Sequence, residues 1–205
     1  MIETPLVRLV DDDTVFCTSQ KFLLQTRGWQ VAVYNSARAF LEEDDRTRPG
    51  CILLDVRMPD MTGLELQLEL EARGSTLPVI FLTGHGDISM AVHTMQHGAV
   101  SFLEKPVEPI KLLETVANAV EADMAAYRQR LEVAENRAVF DQLTPREKEI
   151  IRFAALDTPN KVIAQKLGIS EPTVKMHRAN AFAKLRVKSA LEAYRELQRM
   201  GITLD

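Results

Sequence analysis

Residues 6–16 read LVRLVDDDTVF, a mostly apolar run that ends in three aspartates. The run suits a strand buried on both faces, which would put the triplet at the strand's carboxyl end. Adjacent carboxylates repel one another, so their crowding needs a cause. A metal-holding loop, a nucleophilic carboxylate and a solvated turn all fit this stretch taken alone.

The same pattern recurs downstream. WQVAVY (29–34), CILLD (51–55), PVIFL (78–82) and SFLE (101–104) read as further buried strands. Amphipathic stretches at about 14–27, 36–45, 62–73, 88–98 and from 107 onward read as helices. Gly28, Gly74 and Gly98 stand where three of them should end. Strands alternating with helices predict a five-stranded, doubly wound parallel α/β sheet of the flavodoxin-like kind. Ligands of such sheets bind at the carboxyl ends of the strands. That rule selects Asp11–Asp13, Asp55, Thr83 and Lys105, all on one rim.

A chain of 205 residues is comfortable for two domains. The N-terminus lacks a signal-peptide pattern, and no apolar run is long enough to span a bilayer. Cys17 and Cys51 have no ligand-type spacing and read as reduced structural thiols. A cytoplasmic protein without a membrane partner is expected. The net charge of −4 hides an asymmetry. Residues 1–120 carry 10 Lys/Arg against 17 Asp/Glu, whereas residues 141–205 carry 12 against 8. An acidic first domain and a basic second one imply different partners.

From about 107 to 140 the helical pattern continues, with Leu113, Ala117, Val120, Met124, Tyr127, Leu131, Ala134 and Ala138 at heptad-like spacing. Such a helix either lies on its own protein or pairs with a second chain. The expected boundaries are a first domain at 1–120, a helical linker at 121–141 and a four-helix domain at 142–205. Thr144, Pro145 and Glu147 form an N-cap, a first-turn proline and a capping-box partner. Helices follow at about 159–167, 171–186 and 189–200, and KLGIS (166–170) turns between the first two. That is a helix-turn-helix pattern.

Carboxylates at strand ends suit Mg²⁺, which takes hard oxygen ligands and substrate phosphate oxygens. A carboxylate beside that ion can attack a phosphoryl group to give an acyl phosphate, and Lys105 and Thr83 could then bind the phosphoryl oxygens. LVDDD, LLDVRMPDMTG, FLTGHGD and AVSFLEKPV, in this order, resemble the receiver domains of bacterial two-component response regulators over residues 6 to about 120. The resemblance implies that Asp55 accepts the phosphoryl group from a sensor histidine kinase. It implies that Asp11, Asp12, Asp55 and the Arg57 carbonyl hold Mg²⁺. Lys105 pairs with the phosphoryl oxygen, Thr83 moves to hydrogen-bond it, and Phe102 then turns inward. The implied outcome is a reshaped face around the 88–98 helix, the strand at 101–104 and the helix from 107. It also implies a cis bond before Pro106, the residue type that makes cis affordable. Asp13 reads as the start of the first helix. His93 and His97 read as a helix face.

No acidic residue lies between Glu171 and Glu192, where Lys175, Arg178, Lys184, Arg186 and Lys188 fall on and after the second helix of the helix-turn-helix. LTPRE, NKVIAQKLGIS and TVKMHR resemble the LuxR/FixJ/NarL-type DNA-binding domain. By that resemblance Thr173, Lys175, Met176 and Arg178 face double-stranded promoter DNA. Asn160 and Lys184 lie nearer phosphates, and Lys188 joins the same surface. Ala179 and Asp157 depart from the pattern, Asp157 at a usual glycine position. Ile150, Ile163, Ala164, Leu167, Ile169, Val174 and Leu185 read as the bundle core.

The whole implies a FixJ/NarL-type response regulator and transcription factor. It would be a homodimer when phosphorylated, with RNA polymerase a candidate partner and no enzymatic role beyond autocatalytic phosphotransfer and dephosphorylation. Activation could run through dimerisation or through release of a masked DNA-binding domain. An enzyme reading competes: a haloacid-dehalogenase-like phosphatase with Asp11 as nucleophile, which leaves DVRMPDMTG and the basic end idle. A DNA-independent scaffold is the third reading.

Overall fold

The computed structural model describes residues 3–84 and 98–204. The helix expected at 88–98, with His93 and His97, therefore lies outside the described residues apart from Gly98. The chain divides into two compact units, Met1–Arg128 and Gln129–Asp205.

The first unit alternates as expected: β1 Leu6–Val10, α1 Thr14–Thr26, β2 Gln30–Tyr34, α2 Ala37–Glu43, β3 Gly50–Asp55, α3 Gly63–Ala72, β4 Val79–Thr83 and β5 Ser101–Glu104. The helix α4 (Pro109–Asp141) follows. All strand pairs are parallel, in the order β2-β1-β3-β4-β5. Helices cover both faces. Val7, Leu9, Leu53 and Leu82 pack on one side with Leu24 of α1 and with Leu112 and Val116 of α4. Val10, Ile52, Leu54 and Phe81 pack on the other with Phe40 and Leu66 of α2 and α3. Each fully buried leucine or phenylalanine contributes about 2 kcal/mol.

Not every strand is as buried as its composition suggests. In β2, Gln30 is exposed and Val31–Val33 only half-buried, and in β5 only Leu103 is buried. Both are edge strands, with a neighbour on one side only. Within LVRLV the charged residue is not an exception to burial. Arg8 is fully buried and donates to Asp44, Asp45, Arg48 and Leu6 oxygens.

The heptad-like stripe of α4 is buried in part: Val120 lies in the first unit's core with Leu113 and Met124 packed against it. Leu112, Val116, Ala119, Val120 and Asp123 face the first unit's core, whereas Ala117, Ala134 and Ala138 are exposed. Asp123 Oδ2 accepts the Gly50 N–H at 2.8 Å, fastening the helix to the start of β3. Gly50 is held at φ +148, and a Cβ there would sit 1.9 Å from the Leu6 carbonyl oxygen. Only glycine fits. Residues 121–141 are all part of α4 and are divided between the units after Arg128.

The second unit holds α5 Pro145–Ala155, α6 Asn160–Leu167, α7 Glu171–Lys184 and α8 Ala190–Arg199, with the end of α4. Thr144 and Glu147 form the expected capping box. Gly168, at φ +65, ends α6 and turns the chain into α7. Ile150, Ile163 and Val174 form one core of this bundle, with Leu167 and Ile169 packed against it, while Leu185 belongs to a second core with Phe140 and Leu197.

Both cysteines are buried, and burial pushes each thiol up to about 12. They stay protonated at neutral pH, as structural thiols should. No described helix is long and apolar enough to cross a membrane.

Candidate functional site

Because the strands are parallel, their carboxyl ends share one edge, and the sequence places its chemistry there. Asp11 and Asp12 follow β1, Asp55 ends β3, Thr83 ends β4, and Lys105 follows β5. The structure brings these residues together. Lys105 Nζ donates to Asp11 Oδ2 and to Asp55 Oδ1, each at 2.6 Å. Side-chain exposure is 1% for Asp11, 9% for Asp55 and 24% for Lys105. Burial alone would lower the Lys105 ammonium, but its bonds to both carboxylates carry it above its ordinary value, so it stays charged. Burial pushes the Asp11 carboxyl up, against the pull of Lys105 and of the Asp13 N–H.

Asp55 Oδ2 accepts the Arg57 N–H at 2.8 Å. The neighbouring loop is tight. Gly63 N donates to the Val56 carbonyl at 3.0 Å, and a Cβ on Gly63 would come within 2.2 Å of the Asp55 carbonyl oxygen. This close approach is why glycine must follow Thr62 in PDMTG. Thr83 is buried, and its carbonyl accepts the Lys105 N–H at 2.7 Å. The Lys105-Pro106 bond is cis. Phe102 is exposed at 44%.

Asp11, Asp12 and Asp55 each offer a carboxylate oxygen within 4.8 Å of the others, a group that could hold a metal ion. Asp12 is exposed, so the cluster opens to solvent on one side. Three hard oxygen donors with an open side match a cation that keeps several waters. Asp13 stands apart from this group. Its Oδ1 accepts the N–H groups of Val15 and Phe16, each at 3.0 Å, and so caps α1. The triplet therefore splits into two rim carboxylates and one helix cap.

One residue at this rim escaped the sequence reading. The Phe16 ring lies 4.5 Å from Lys105 Nζ. The available signal was an aromatic residue in the first turn of the helix that follows the acidic run.

In the second unit, α7 presents Lys175, Met176, Ala179, Asn180 and Ala183 to solvent. Thr173 is half-buried, its hydroxyl 2.7 Å from that of Ser170 at the start of the helix. Arg178 donates to Asn160 Oδ1 at 3.0 Å and lies over the Phe182 ring, tying α6 to α7. Lys188 is exposed in the turn before α8. Asp157 takes the left-handed φ of +54, a conformation that glycine adopts freely and aspartate more readily than most residues.

Lys184 has a partner within the bundle as well as an exposed side chain. Its Nζ donates to both carboxylate oxygens of buried Glu147 at 2.8 Å. The physical cause is the capping box, which sinks a carboxylate into the bundle where it needs a cation. Burial works to raise the Glu147 carboxyl, but the bonds from Lys184 and Thr144 hold it below its ordinary value of 4.5. A group so depressed stabilises the fold fully above its unfolded value, and that stability is lost as pH falls through the folded value. Amide exchange across α5–α8 should therefore speed up below about pH 4.5. In Glu147→Gln that acid-induced change should flatten, at a cost of about 1 kcal/mol at neutral pH.

Residues 7–117 match the family model of the response regulator receiver domain, and residues 141–197 match that of the bacterial regulatory proteins, luxR family. Nodulation protein W of Bradyrhizobium diazoefficiens is 36% identical over 98% of this chain and 88% of its own length. The transcriptional regulatory protein FixJ of Rhizobium meliloti is 40% identical over 89% of this chain and 90% of its own. Among solved structures, the response regulator StyR matches with a TM-score of 0.84 at 36% identity, covering 96% of this chain and all of that one.

Proposed function

Because this chain belongs to the response regulators that join a receiver domain to a luxR-type DNA-binding domain, we propose that Asp55 is its phosphoryl acceptor. The family consists of transcription factors, generally without enzymatic activity of their own. The receiver is assigned to 1–120, the helical linker to 121–141 and the DNA-binding domain to 142–205.

The supporting observation is the Lys105 ammonium bonded at 2.6 Å to both Asp11 and Asp55 at one sheet edge. An Asp55 carboxylate oxygen attacks the phosphorus of a sensor kinase's phosphohistidine, the N–P bond breaks, and the imidazole leaves. Lys105 then passes from the Asp55 carboxylate to a phosphoryl oxygen, where its charge offsets that of the transferring group. Mg²⁺, when bound, neutralises further phosphoryl charge, and Asp11, Asp12, Asp55 and the Arg57 carbonyl would hold it. Thr83 completes the hydrogen bonding, and Phe102 turns inward from its exposed position. In slow dephosphorylation a water attacks the phosphorus of the acyl phosphate, the bond to the Asp55 oxygen breaks, and inorganic phosphate leaves with the carboxylate restored.

Phosphorylation shifts a two-state equilibrium of the receiver toward a form whose face beside β5 and the start of α4 dimerises. Two recognition helices α7 then meet a two-fold-related site in promoter DNA. Thr173, Lys175, Met176, Arg178 and Lys188 carry the contact, with Asn160 near the phosphates. Lys184, paired with Glu147 and still exposed, also lies near the phosphates. The protein acts in the cytoplasm, with RNA polymerase as a further partner.

Intact-mass measurement after incubation with acetyl phosphate and Mg²⁺ tests the acceptor. One phosphoryl group should appear on the wild type and none on Asp55→Asn, and salt-sensitive DNA binding should strengthen only in the former. Equal labelling of both would place the acceptor elsewhere.

A further inference from the structure

We infer that Phe16 is a positioning residue for phosphoryl transfer, holding the Lys105 ammonium over the acidic rim; this rests on Asp55 being the acceptor. Lys105 Nζ lies 4.5 Å from the centre of the Phe16 ring, well inside the distance at which an aromatic face attracts a cation. Two of the three ammonium donors are already committed, to Asp11 and Asp55.

The ring is anchored independently of the rim charges. Phe16 packs against the buried cluster that contains Leu9, Cys17 and Leu53. Its N–H is bonded at 3.0 Å to Asp13 Oδ1, the cap of α1. The third aspartate of the triplet thus reaches the site indirectly, by fixing the turn that carries the aromatic ring.

The consequence concerns the step in which Lys105 changes partner. A lysine ends in a point charge on a long flexible stem, which loses rotamer freedom whenever it is held in one place. During transfer the ammonium must release Asp55 Oδ1 for a phosphoryl oxygen without swinging into solvent. A ring face attracts the charge but imposes little direction on its hydrogen bonds. The nitrogen can therefore rotate between oxygens while remaining at the rim. Leucine or methionine would fill the same space without the negative face.

The test uses the full-length chain, acetyl phosphate and intact-mass kinetics. Phe16→Leu should slow phosphoryl uptake roughly threefold to tenfold, whereas Phe16→Tyr and Phe16→Trp should keep most of the wild-type rate. In a Lys105→Met background, Phe16→Leu should bring no further loss. Phe16→Met replaces the leucine variant should that one not fold, with folding checked by Trp29 fluorescence. The inference is overturned if leucine and tyrosine behave alike, or if Phe16→Leu slows uptake equally with and without Lys105. Wild-type labelling at Asp55 with an unaffected Phe16→Leu rate would overturn this inference alone. Labelling that survives Asp55→Asn would instead overturn the assignment of the acceptor.

Discussion

Asp44→Ala should lower the stability of the first unit by about 3–5 kcal/mol. The side chains of Arg8 and Asp44 are both fully buried, and Arg8 Nε donates to Asp44 Oδ1 at 2.7 Å. Tyr34 donates to the same oxygen at 2.8 Å, while Asp44 Oδ2 has no protein partner among the described residues. Removing the carboxylate strands a guanidinium in the interior, and that desolvation cost dominates. The pair itself contributes far less than its rupture costs, because burying both charges was unfavourable from the start. Arg8→Met combined with Asp44→Leu should therefore recover most of the loss. The chain's one tryptophan, Trp29, packs against the core of the first unit, so urea unfolding followed by its fluorescence reports on that unit. A single-variant loss below about 1 kcal/mol would mean that Arg8 reaches water and behaves as a surface pair.

Arg8 also marks the boundary of what the sequence makes legible. LVRLV reads correctly as a buried strand, yet nothing local says that the arginine's partner stands in the loop after α2. The acidic rim is legible for the opposite reason. Parallel strands deliver their last residues to one edge, so Asp11, Asp55, Thr83 and Lys105 converge once the strand count is known. Interactions that cross between elements leave no such mark. Asp123 on the Gly50 N–H, Phe16 over Lys105 and Lys184 on Glu147 each depend on packing angles that periodicity does not encode. The stripe of α4 is legible only in part. Leu113, Val120 and Met124 do pack toward the sheet, but alanines fit a heptad as well as they fit an exposed face, and Leu112, Val116 and Ala119 join the buried side. For Lys184, a basic residue on α7 suggested phosphate, and nothing local told that a buried carboxylate in the same bundle also holds it.

Lys105→Met should move two properties of the rim in opposite directions. Phosphoryl uptake should fall by about a hundredfold, because the transferring group loses the cation that meets its oxygens. Binding of Mg²⁺ or Mn²⁺ should instead tighten. Lys105 is bonded to Asp11 and Asp55, two of the three carboxylates that could hold a metal ion. It therefore competes for their oxygens and repels a dication nearby. Methionine preserves much of the stem's volume and removes the charge. The Asp11 carboxyl, already pushed up by burial, loses one of the donors that pulls it down, so metal binding to the variant should release more protons than binding to the wild type. Calorimetric titration in buffers of different ionisation heat measures both the affinity and the proton release. Uptake from acetyl phosphate at saturating metal then isolates the transfer step. A fall in metal affinity alongside the fall in uptake would show Lys105 to be a strut that holds the carboxylates together rather than a partner of the phosphoryl group.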